Sequence, residues 1–134
     1  MKKRKIPAVA FYPGRKKEEE QSLGFHHVCK ILENKFYVEK LHLEKLKKIS
    51  VDWVFSSLHF ENQYPLFLKT MEEWKEKGKV VVGGPAPSSN PYPLYYLADY
   101  IVIGDAEGID FSNIEDNPCV FIPVSYTHLT LPTN

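Results

Sequence analysis

The sequence predicts an α/β fold: a parallel sheet, doubly wound by helices into three layers. Three observations predict it. Strands are expected at residues 6–12, 51–55, 80–82 and 100–103, the last two as short apolar runs without alternation, and such runs fit strands buried on both faces of a parallel sheet. Amphipathic segments, residues 23–33 and 66–77, separate them. Two runs end in glycine, at Gly83-Gly84 and Gly104. Those glycines put permissive turns at the carboxyl edge of the sheet, where open α/β sheets bind ligands. On the residues alone, the Gly-Gly pair is equally a tight turn between strand and loop.

Taken in order, residues 6–12 form the first strand, closed by Pro13-Gly14. The charged run 15–20 reads as a solvated loop. Ser22 caps a helix over 23–33 that sets Phe25, Val28, Cys29 and Leu32 on one face, and Asn34 ends it in a left-handed conformation. Residues 36–43 alternate and form the second strand; 44–49 make a turn of helix with Leu46 and Ile49 inward. The third strand runs from Val51 to Phe55 and ends at Ser56-Ser57-Leu58. Pro65 suits the first turn of the next helix, whose inner face carries Phe67, Met71 and Trp74, with Gly78 as its cap. Residues 91–97 have room only for a short helix. After the fifth strand, residues 119–122 begin either a sixth strand or a linker. Strands alternating with helices give a doubly wound sheet with right-handed crossovers, and the expected order is the flavodoxin-like (Rossmann-like) 2-1-3-4-5.

The 134 residues suffice for one domain. A formal net charge of zero gives no argument for nucleic acid or an anionic membrane. No apolar run has transmembrane length. Cys29 and Cys119 are too few and too far apart for a disulfide framework or a zinc site, so a cytoplasmic protein with two thiols is expected. Residues 124–134 resemble the conceptual translation of a sequencing-library adapter; the alternative is a Thr-rich edge strand. On the first reading the native domain is 1–123, truncated at its carboxyl end from a longer protein.

The pattern Val81-Val82-Gly83-Gly84-Pro85, followed by residues 98–107 (ADYIVIGDAE), resembles the amino-terminal cobalamin-binding domain of radical S-adenosylmethionine proteins. Those domains read V-x-G-G-P and then D-x-V-x-G-E-G-E. Asp105 and Ala106 depart from that pattern, while Glu107 and the Leu23-Gly24 pair match it. The resemblance covers residues 5–122. It implies a cobalamin site formed by Ser56, Ser57, Leu58, His59, Gly83, Gly84, Pro85 and Gly104. Cobalamin domains of the methionine synthase and mutase type carry D-x-H-x-x-G after the first strand, S-x-L after the third and G-G after the fourth. Ser56-Ser57-Leu58 and Gly83-Gly84 match the last two. Pro13-Gly14-Arg15-Lys16 stands where the first belongs, so no axial histidine is implied and the cofactor would bind with histidine off cobalt. The 4Fe-4S cluster and S-adenosylmethionine would belong to a following catalytic domain, the implied partner; its C-x-x-x-C-x-x-C motif is absent here.

Each candidate has a plainer reading. Ser56 and Ser57 also suit turn capping. His59 also suits a solvated loop. His26 and His27 are adjacent on a helix and point to different faces, so they form no metal site together. Asp105 and Glu107 suit capping better than acid–base chemistry. Tyr92, Tyr95 and Tyr96 either wall a crevice or cover a connection. No nucleophile–base set and no phosphate-binding glycine loop is present, so no catalytic residue and no metal ligand is assigned. The rival function is a stand-alone flavodoxin-like binding or regulatory module without a cofactor. A receiver domain is disfavoured because Ser56 stands where its phospho-accepting Asp would be.

Overall fold

The computed structural model describes residues 6–11, 13, 23–33, 35–40, 51–74, 78–104 and 109–123. Six strands form one sheet: β1 (Ile6–Phe11), β2 (Phe36–Lys40), β3 (Trp53–Ser57), β4 (Lys79–Gly83), β5 (Tyr100–Val102) and β6 (Val120–Phe121). Their order is β2-β1-β3-β4-β5-β6. The first five are parallel and in the expected order, and β6 closes the edge antiparallel to β5. The three helices are α1 (Leu23–Leu32), α2 (Tyr64–Trp74) and the five-residue α3 (Pro85–Ser89). Short 3-10 turns cover Glu61–Gln63, Tyr92–Leu94 and Phe111–Asp116.

Strand alternation sorts the core into two layers. On one face Val54, Leu58, Val80, Val82 and Ile101 pack against Phe67, Met71 and Trp74 of α2 and against Leu94. On the other, Ala8, Ala10, Phe55, Val81, Tyr100 and Val102 pack against Phe25, Cys29 and Leu32 of α1 and against Ile109 and Ile114. Each face of the sheet buries its own apolar set, which is why residues 53–55 of β3, 80–82 of β4 and 100–102 of β5 are apolar without alternation. Asp99 starts β5: its Oδ2 accepts from Val80 N at 2.7 Å, while its own N–H donates to Val80 O at 2.8 Å.

Residues Pro85–Ser89 form a short helix that the sequence reading did not place. Residues 119–122 resolve to the edge strand β6. Gly78 is not a left-handed cap, since among the described glycines only Gly84 and Gly104 have positive φ. Its glycine is instead required by crowding where the chain enters β4 beside the start of β3. A Cβ there would collide with the carbonyl oxygen of Val51 and lie 2.8 Å from that of Asp52. Ser22, Asn34, Asp105, Glu107, the charged run 15–20, the turn at 44–49 and the tail 124–134 lie outside the described residues. Among the described residues, no helix is long and apolar enough to cross a membrane.

Candidate functional site

A cavity of about 340 Å³ opens at the carboxyl ends of β3, β4 and β5, between the sheet and α1. Its walls are apolar: Phe25, Val28 and Leu32 from α1, Phe55, Val81 and Val102 from the sheet, and Phe111. The Phe111 ring meets Phe55 edge-on, with centroids 5.9 Å apart. No Asp, Glu, Lys or Arg is among its described lining residues. The described wall thus favours an apolar group, its polar side chains being His27, Ser56, Ser57, His59 and Ser88.

Of the residues singled out from the sequence, Ser56, Ser57, His59, Gly83, Gly84, Pro85 and Gly104 all border this cavity. Leu58 does not. It is fully buried in the α2 layer on the other face. Its backbone holds the edge together: Leu58 N donates to Gly83 O at 2.9 Å, and Leu58 O accepts from Ala86 N at 3.2 Å.

The two serines differ by the strand period of two. Ser57 pairs in register with Gly83, and both fall on the cavity face with Phe55 and Val81. Ser56 pairs with Val82 and shares the α2 face with Val54. By alternation Ser57 thus falls on the cavity face, while Ser56 also borders the cavity and keeps its buried Oγ without a hydrogen-bond partner.

The glycines also divide. Gly83 ends β4 with ordinary extended backbone, and a Cβ on it would lie 3.4 Å from Val102 Cβ, in the cavity. Gly84 has φ 114° and ψ 177°, a region essentially reserved for glycine. A Cβ there would strike the carbonyl oxygen of Leu58, so the requirement at Gly84 comes from the fold. Gly104, at φ 87°, has open space around it.

Two positioning side chains escaped the sequence reading. Gln63 Oε1 accepts from His59 N at 2.7 Å and from Phe60 N at 3.1 Å, pinning the loop that carries His59 to the cavity. Ser88 joins the two glycine turns: its Oγ donates to Gly84 O at 2.9 Å and accepts from Gly104 N at 2.8 Å. The signal for Ser88 was a serine four residues after Gly84, able to bond back to the preceding turn. Tyr92 and Tyr96 are 66% and 85% exposed and lie off the cavity, and Tyr95 stacks on Phe121, so this trio does not wall the crevice.

Burial holds the His59 imidazole below its usual value of 6.5. Its neutral form is therefore favoured in the folded protein. That contribution to stability is complete above pH 6.5 and is lost as pH falls through the lower folded-state value. Urea unfolding is expected to show stability declining on acidification below pH 6.5, with a shallower decline in His59→Gln. Identical pH profiles would show that His59 titrates as an exposed residue.

Among the described residues, no group of three His, Cys, Asp or Glu side chains is disposed to hold a metal ion. Comparison with protein-family models, curated proteins and solved structures gives no match to the chain.

Proposed function

We propose that the chain is a flavodoxin-like, cobalamin-binding-type domain of a radical S-adenosylmethionine protein, working in the cytoplasm beside a separate catalytic domain. The observation that carries this reading is the apolar cavity at the carboxyl edge, which a side chain on Gly83 would enter. The sequence resemblance named the same strand ends. The fit is one of shape and charge. The largely apolar cavity suits the cofactor's aromatic tail, and Ser57, Gly83, Gly84, Pro85 and Gly104 at its mouth are the residues that would hold the group. Bound cofactor supplies cobalt-centred group-transfer chemistry. The chain's own part is to hold and orient: Ser57 offers a hydroxyl, Phe55 and Phe111 exclude water, and the glycine turns admit a close approach.

The test is titration of the purified protein with hydroxocobalamin, followed by visible absorbance. Ser57→Ala is expected to weaken binding about tenfold, the worth of one hydrogen bond in a dry site. Ser56→Ala is expected to leave binding unchanged and to raise stability by roughly 1 kcal/mol, because it removes a buried hydroxyl that has no partner. A folded wild-type protein that takes up no cobalamin refutes the cofactor reading.

A further inference from the structure

The parallel ladder between β4 and β5 stops at Val82 and Ile101. Past that point β5 turns toward its other neighbour, with Ile103 N donating to Cys119 O at 2.8 Å. The carboxyl ends of β4 and β5 thus lose their mutual backbone bonds where the cavity opens. One side chain bridges the gap. Ser88, from the last turn of α3, bonds through its hydroxyl to the carbonyl of Gly84 and to the amide of Gly104. Both glycines have positive φ, and Gly84, Ser88 and Gly104 all line the cavity.

We propose that Ser88 is the positioning residue of this site, a clasp that fixes the width of the cavity mouth by tying the β4 turn to the β5 turn. The inference rests on the reading that the cavity binds a ligand. With its proton given to Gly84 and a lone pair engaged by Gly104, the Ser88 hydroxyl acts through the backbone it holds. Gly104 is the sensitive end. It is exposed, with open space where a Cβ would stand, and its amide is held by the Ser88 hydroxyl. The chain beyond it returns as Ile109 in the core and Phe111 on the cavity wall. Freeing Gly104 releases the β5 side of the cavity mouth from the β4 side. A threonine keeps the hydroxyl and therefore the clasp, whereas an alanine abolishes it.

Three readouts on the full chain, comparing wild type, Ser88→Ala and Ser88→Thr, decide the matter. The first is the temperature coefficient and exchange rate of the Gly104 amide by nitrogen-15 NMR. The second is affinity for hydroxocobalamin. The third is affinity for the uncharged apolar dye N-phenyl-1-naphthylamine, a probe that does not depend on the cofactor assignment. The proposal expects Ser88→Ala to expose the Gly104 amide and to weaken both probes about threefold to tenfold, the range of one partly exposed hydrogen bond. Ser88→Thr should restore both. An unchanged Gly104 amide in Ser88→Ala overturns the clasp. A freed amide with unchanged affinities shows a bond that does not set the mouth, and overturns it equally. Wild-type protein that takes up dye but no hydroxocobalamin ends the cofactor reading and leaves the dye affinities to decide the clasp. Folded wild type that takes up neither overturns both.

Discussion

Gly84→Val is expected to unfold the protein or leave it barely stable. Two costs coincide at this position. The backbone sits at φ 114° and ψ 177°, where a residue with a Cβ is strained by about 1–3 kcal/mol. The new Cβ would also strike the carbonyl oxygen of Leu58 and lie 3.0 Å from its nitrogen. Those backbone atoms cannot step aside cheaply. Leu58 N is bonded to Gly83 O, Leu58 O to Ala86 N, and the Leu58 side chain is fully buried against α2. Overpacking of this kind costs a further 1–3 kcal/mol or so. A sum of roughly 2–6 kcal/mol is a large part of the stability of an ordinary domain. The check is urea unfolding followed by the fluorescence of Trp74, which is buried in the affected layer. A midpoint within experimental error of wild type would mean that the turn has another conformation.

Why some of this was legible in the sequence and some was not follows from where the information sits. β3, β4 and β5 are buried on both faces, so their apolar runs announce them. α1 and α2 each bury one stripe, and the spacing of Phe25, Cys29 and Leu32, or of Phe67, Met71 and Trp74, shows it. Strand order was expected from the flavodoxin-like class, since crossover handedness alone does not fix it. α3 was hidden because Pro and Ser are poor helix formers on average. Yet Pro85 occupies the first helical position, where no amide bond is lost, and Ser88 bonds back to Gly84. The site was legible as strand ends and not as side-chain directions. Strict alternation from Val54 onward would have put Leu58 on the far face and favoured Ser57 over Ser56. The crowding at Gly78 and Gly84 could not be read at all, because it depends on backbone atoms from β3, some 26 residues away in the chain. A glycine needed for packing and a glycine needed for a ligand are the same letter.

That ambiguity makes Gly83→Val the most informative binding experiment. Gly83 differs from its neighbour in every relevant respect. Its backbone is extended, its partner across the sheet is Ser57, and its missing side chain would point into the cavity. The first added carbon would meet Val102 Cβ at 3.4 Å, an ordinary contact. A β-branched residue also suits the end of a strand. Stability is therefore expected to stay within about 1 kcal/mol of wild type. Binding is not. The valine methyls would occupy the space beside Ser57 that a buried ligand group must enter, and a ligand cannot displace a side chain anchored to a packed strand. Affinity for hydroxocobalamin is expected to fall at least 100-fold, on the order of 3 kcal/mol, since both the buried contacts and the Ser57 hydrogen bond are lost together. Gly83→Ala, with one carbon, should fall between the two. A graded loss from Gly to Ala to Val at constant urea midpoint would locate the ligand in this cavity. Wild-type affinity in folded Gly83→Val would place any bound cofactor somewhere else on the molecule.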